Sequence, residues 1–213
     1  MKEEIAALLR TDRALAAGLT AAYAAFGLTF RGPRQRFWRR MTATGMVLGS
    51  YALLNQPGLR RIRLTSRDVG WGVGSAAGLY GIFRAGDVLA RRIMPRGVEN
   101  IDEIYSLRRL GDKRALAARL AFVIGPAEEL FWRGFVQARF VESLGAAKGT
   151  ALGTAAYGGA HVVTGNPTLL GAATVAGGYW GLLASRGMSI EALIVSHVVW
   201  DVVIFLVAPT AEQ

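Results

Sequence analysis

The sequence predicts an all-α protein, a polytopic bundle of about six to seven membrane-embedded helices. Three observations predict it. Apolar runs of near-spanning length recur along the 213 residues, which are 52% hydrophobic with positive mean hydropathy. Glycine and alanine dominate those runs, and 27 glycines allow close approach of helices in lipid. The arginines sit in the gaps between runs, where they suit the positive-inside pattern and anionic headgroups. That placement makes the bilayer, and not nucleic acid, the expected partner of the +10 charge. With no cysteine there is no disulfide framework, thiolate metal site or thiol nucleophile. No n-region, short apolar core and small-residue cleavage site opens the chain, so no cleaved signal peptide is expected. The length suits a single integral domain over residues 1–213, multi-pass in the plasma membrane.

Residues 1–13 are polar and of mixed charge, which suits an interface. Residues 14–30 are the first apolar run, able to span if its ends snorkel. A basic loop follows with Arg31, Arg34, Arg36, Arg39 and Arg40, interleaved with Phe37 and Trp38 as an interfacial anchor. Residues 41–54 are apolar but short, either re-entrant, tilted or extended by their flanks. Asn55-Gln56-Pro57-Gly58 reads as a turn. A second basic loop carries Arg60, Arg61, Arg63 and Arg67, so orientation from the first half is ambiguous. Residues 69–83 begin a helix expected to run to Pro95, with Arg84, Asp87 and Arg91 as an ion-pair ladder. Residues 96–113 are a polar connector.

Residues 114–143 form one long helix, with Pro126 expected to kink it. Residues 147–163 are small-residue rich and end near His161, and Gly165-Asn166-Pro167 is a turn. Residues 168–185 span again, up to Arg186-Gly187. Ser189 is the expected N-cap of the most hydrophobic helix, residues 190–207.

The polar residues inside these runs carry the chemistry. Glu129 and Arg133 are four apart and share a helical face, so the arginine neutralises Glu129 and leaves Glu128 free. Two carboxylates in unequal environments are what acid–base chemistry needs. The only two histidines both fall in apolar helices: His161 four after Tyr157, and His197 four before Asp201. Buried polar groups at membrane depth must meet one another or a water-filled cavity. A shared site suits hydrolysis. Glu128 accepts a proton from water, His161 positions that water, and His197 donates to the oxyanion with Asp201 fixing its tautomer. Glu128, His161 and His197 are also a credible zinc set, although no His-Glu-x-x-His helix supports it. The preferred reading is a metal-free, glutamate-activated water.

Glu128-Glu129-x-x-x-Arg133, Tyr157-x-x-x-His161 and His197-x-x-x-Asp201, in that order on separate helices, resemble the three motifs of the CPBP family. These are the CAAX prenyl proteases and bacteriocin-processing intramembrane proteins, also called Abi. The resemblance covers residues 115–208 as a catalytic core. It implies Glu128 as the catalytic carboxylate, Arg133 holding Glu129, His161 beside the water, and His197 with Asp201 around the carbonyl oxygen. The sequence departs from the pattern at Tyr157, where phenylalanine is usual, and at Asp201, where the eukaryotic-type proteases have asparagine. An intramembrane endopeptidase is thus expected, acting on a peptide or membrane-protein substrate near the membrane surface, prenylated or not. Two other classes compete: a non-enzymatic scaffold or immunity protein of the same family, and a small transporter or proton relay.

Overall fold

The computed structural model describes residues 2–93 and 103–208, and all its regular elements there are helical. A short helix α1 (Lys2–Thr11) leads into α2 (Arg13–Phe30). The chain turns back through α3 (Phe37–Asn55) and rises again in α4 (Ser66–Ile93). After a connector come α5 (residues 113–144), α6 (Ala146–Ala160), α7 (Pro167–Ser185) and α8 (Ile190–Val207). The short run 41–54 is therefore extended by its flanks. The expected ladder from Asp87 reaches Arg91, whose side chain lies outside the described residues, as does the rest of the connector's first part.

Local chemistry sets the boundaries. Asp12 caps α2 by accepting from the Leu15 N–H at 2.9 Å. Asp112 accepts from the N–H groups of Arg114 and Ala115, both at 3.0 Å, and starts α5. Asn166 caps α7 through the Leu169 N–H, with Pro167 in the first turn where a missing donor is harmless. Ser189 caps α8, as its sequence position suggested. Between α5 and α6 the chain reverses at Gly145, whose φ of 82° an L side chain resists.

Where one long helix with a proline kink was expected, α5 is a helix interrupted twice. The segments Leu120–Ile124 and Leu130–Gln137 are π-helical, and Gly125–Glu129 between them is α-helical. Pro126 has no N–H and its ring crowds the carbonyl one turn earlier. The wider turn just before it relieves both problems.

The core lies where α2, α3, α5 and α6 meet, around Phe26, Phe131, Trp132 and Phe135. Gly72 lets α4 touch α8; a Cβ there would stand 2.5 Å from the Val195 Cβ. The outer surface is apolar in turn: Phe122 is 81% exposed and Leu28, Leu54 and Trp71 stand out with it. By length and apolarity, two helices among the described residues qualify as membrane spans: Arg13–Phe30, of mean hydropathy 1.2, and Ile190–Val207, of 2.2. The other long helices carry more charge or lower hydropathy, so the count of six to seven is not reached by this measure.

Candidate active site

Every candidate site residue lies on α5, α6 or α8, or in the turn just after α6. Glu128 and Glu129 end the short α-helical part of α5, Arg133 follows in the π-helical turn, and His161 caps the C-terminus of α6. His197 and Asp201 share one face of α8, four residues apart.

Glu129 is fully buried. Its Oε1 accepts from Arg133 Nη1 at 2.9 Å, the i,i+4 pair expected. The same oxygen accepts from His197 Nδ1 at 2.7 Å. A carboxylate can only accept here, so the proton of that bond sits on Nδ1. This corrects the sequence expectation that Asp201 fixes the histidine's tautomer. Glu129 does so, because Asp201 approaches the other ring nitrogen, Nε2, and only to 3.6 Å. At 3.6 Å the two make a charge contact and no hydrogen bond, so Nε2 keeps its bonding capacity for a group in the cavity.

Arg133 is locked as well. Its guanidinium lies 4.6 Å from the Tyr157 ring centroid and 5.3 Å from that of Trp180, and Nη2 donates to the Gly177 carbonyl at 3.4 Å. One turn on, Gln137 Nε2 donates to the Gly181 carbonyl at 2.8 Å. These two bonds tie α5 to α7.

Glu128 has a different environment from its neighbour. Its Oε2 accepts from the Tyr157 hydroxyl at 2.9 Å, and among the described residues Oε1 makes no hydrogen bond. His161 donates from Nδ1 to the Tyr157 carbonyl at 3.0 Å, leaving Nε2 as an acceptor. The His161 ring is boxed edge-on by Phe26, at 5.2 Å, and Tyr157, at 5.1 Å.

Glu128, His161, His197 and Asp201 all line one cavity of about 140 Å³. Its walls are otherwise apolar, with Phe37, Trp38 and Phe205 among them. It meets a larger apolar groove of about 300 Å³ between α4, α7 and α8, with which it shares Leu169, Trp200 and Phe205. Both histidines bind an outer acceptor through Nδ1, as metal-bound histidines do. Yet among the described residues no three His, Asp or Glu side chains come together closely enough to hold an ion.

One participant was not singled out in the sequence. Trp180 stacks on His197 with ring centroids 4.1 Å apart and planes 19° apart, and its Nε1 donates to Ser196. Nothing in its spacing distinguishes it from a core aromatic. The Tyr157 contact with Glu128 had a signal, namely a hydroxyl where the resemblance has none.

Residues 112–203, just under half of the chain, match the family model described as "Rce1-like: Type II CAAX prenyl endopeptidase Rce1-like". No curated protein and no solved structure matches the chain.

Proposed function

From the Rce1-like match over residues 112–203, which supports a place among the CAAX and CPBP intramembrane proteases, we propose that the chain is an intramembrane endopeptidase whose base is Glu128. The family is one of integral membrane peptidases that act on membrane-associated peptides. The observation that carries the finer reading is the shared cavity: four polar side chains from three helical elements line one apolar pocket. In this reading the remaining long helices also embed in the bilayer, giving a multi-pass protein of the plasma membrane over residues 1–213.

A water between Glu128 Oε1 and His161 Nε2 would meet two acceptors, which orient it and draw its proton. Glu128 takes that proton as the water oxygen bonds to the scissile carbonyl carbon. The oxygen of the resulting tetrahedral adduct carries the negative charge. A proton on His197 Nε2, favoured by the Asp201 carboxylate beside it, is donated in a hydrogen bond to that charge and stabilises it. Glu128 then returns its proton to the departing amine, so the carboxylate is restored at the end of the cycle. Low polarity around the cavity strengthens each of these interactions. No step is assigned to a metal, because the donors do not converge as a metal set.

The substrate is a peptide whose scissile bond lies near the membrane surface, prenylated or not. The test is cleavage of a peptide set, with and without a prenyl group, by the full chain in liposomes. Products released by the wild type and absent with Glu128→Gln support the reading. A wild type that binds peptides but releases no product returns it to a scaffold.

A further inference from the structure

We propose that Tyr157 is a positioning residue for the Glu128 carboxylate, deciding which of its two oxygens faces the substrate cavity. The inference rests on the reading of Glu128 as the base. A glutamate has three rotatable side-chain bonds, and burial alone does not choose between its oxygens. The phenol hydroxyl does, by donating to Oε2 at 2.9 Å. Oε1 is then left for the cavity.

The phenol can act this way because it is itself immobile. The Tyr157 ring is buried, with Trp132 edge-on at 5.4 Å and the Arg133 guanidinium 4.6 Å from its centroid. On the far side α7 has Gly177, where a Cβ would stand 2.6 Å from Tyr157 Cδ1. The Tyr157 carbonyl accepts from His161 Nδ1 at 3.0 Å. One residue thus sets both acceptor atoms of the water site, Glu128 Oε1 through its side chain and His161 Nε2 through its backbone. Phenylalanine could supply the second function but not the first. A tyrosine placed only to fill space would leave its hydroxyl on a backbone carbonyl or at the surface, as Tyr51 and Tyr23 do on Ala14 and Ala156.

The experiment is Tyr157→Phe in the liposome assay, with kcat and KM determined separately. The ring, its packing and the backbone bond to His161 all persist. The expected result is a fall in kcat of about tenfold with KM unchanged. An unchanged kcat overturns the inference, and so does a fall in kcat matched by a rise in KM and a loss of thermal stability, which marks a structural role. A second measurement reads the contact without turnover: unfolding midpoints of Tyr157→Phe, Glu128→Ala and the double variant. Coupling between the two supports the contact, and strict additivity overturns it. Failure of the endopeptidase reading looks different: the wild type then cleaves nothing, whether or not the two residues couple.

Discussion

Glu129 Oε1 stands 2.7 Å from His197 Nδ1, joining α5 to α8 across 68 residues of chain. This bond is the hinge of the site. In the proposed site it makes the second glutamate of the pair the orienter of His197, while Arg133 balances its charge. The two adjacent carboxylates therefore divide the work by their partners: Glu129 is held by two cationic or donor groups, Glu128 by one neutral hydroxyl.

Glu128→Gln is expected to abolish cleavage while leaving the protein folded. The amide occupies the same volume and still accepts from Tyr157, but it cannot take a proton from water. Turnover comparable to wild type in the liposome assay, at matched protein level, would exclude the general-base role.

Arg133→Ala is expected to lower abundance as well as activity. It leaves Glu129 buried with its charge unbalanced, a loss on the order of 3–5 kcal/mol for a broken buried pair. Yield and unfolding midpoint in detergent check this. A variant as stable as the wild type would mean that the pair contributes nothing to the fold.

Asp201→Asn and Glu129→Gln are expected to differ. Asp201 only approaches its histidine nitrogen at 3.6 Å, whereas Glu129 makes the 2.7 Å bond. Asparagine can still meet Nε2, so Asp201→Asn should retain activity within about tenfold. Glu129→Gln should lose on the order of a hundredfold or more, as loss of a tautomer-setting acid does in other hydrolytic triads. The reverse order, read from kcat, would reassign the orienting role to Asp201.

Chelation is expected to leave activity intact. In the proposed mechanism Glu128 takes the proton of a water that His161 helps to orient, and no step uses an ion. One tightly bound zinc per chain, with activity lost on its removal and restored on its return, would make Glu128, His161 and His197 ligands instead.

At the end of the bundle away from the cavity, Asp68 links the starts of α4 and α8. Hydrogen bonds from Ser189 and then Thr65 hold its carboxyl below the ordinary aspartate range. A lowered native value means the stabilisation is complete above the ordinary range and lost as pH falls through the lowered one. Unfolding midpoints measured from about pH 5 downward should fall more steeply in the wild type than in Ser189→Ala. Parallel curves would show that the link does not contribute.

The candidate site residues were legible because charge inside an apolar run is conspicuous. Glu128, Glu129 and Arg133 stand out in this way, as do the only two histidines. The turns were legible from Gly165-Asn166-Pro167 and Ser189. What the sequence withheld were distances between helices. The spacing of His197 and Asp201 suggested a local pair, but the stronger partner came from α5, and no periodicity reports contacts between helices. Trp180 was hidden for the same reason, since stacking on a histidine needs no spacing of its own. The division of α5 was hidden because Pro126 signals a disturbance without saying how the backbone absorbs it.

That division has a consequence for the way this helix tolerates changes in length. Each π-helical turn holds more residues than an α-helical turn. The segment Leu130–Gln137 contains Arg133 and ends at Gln137, the two side chains that bond to the Gly177 and Gly181 carbonyls. Removing one residue just after Arg133 would let this segment tighten toward regular α-helix, because the wider turn is what takes up the surplus residue. Arg133 would keep Glu129, and Gln137 would stay on the face toward α7. The wide turn acts as slack in the helix. A one-residue deletion here is therefore expected to be absorbed, whereas the same deletion in a regular α-helical stretch would rotate everything beyond it by about 100°.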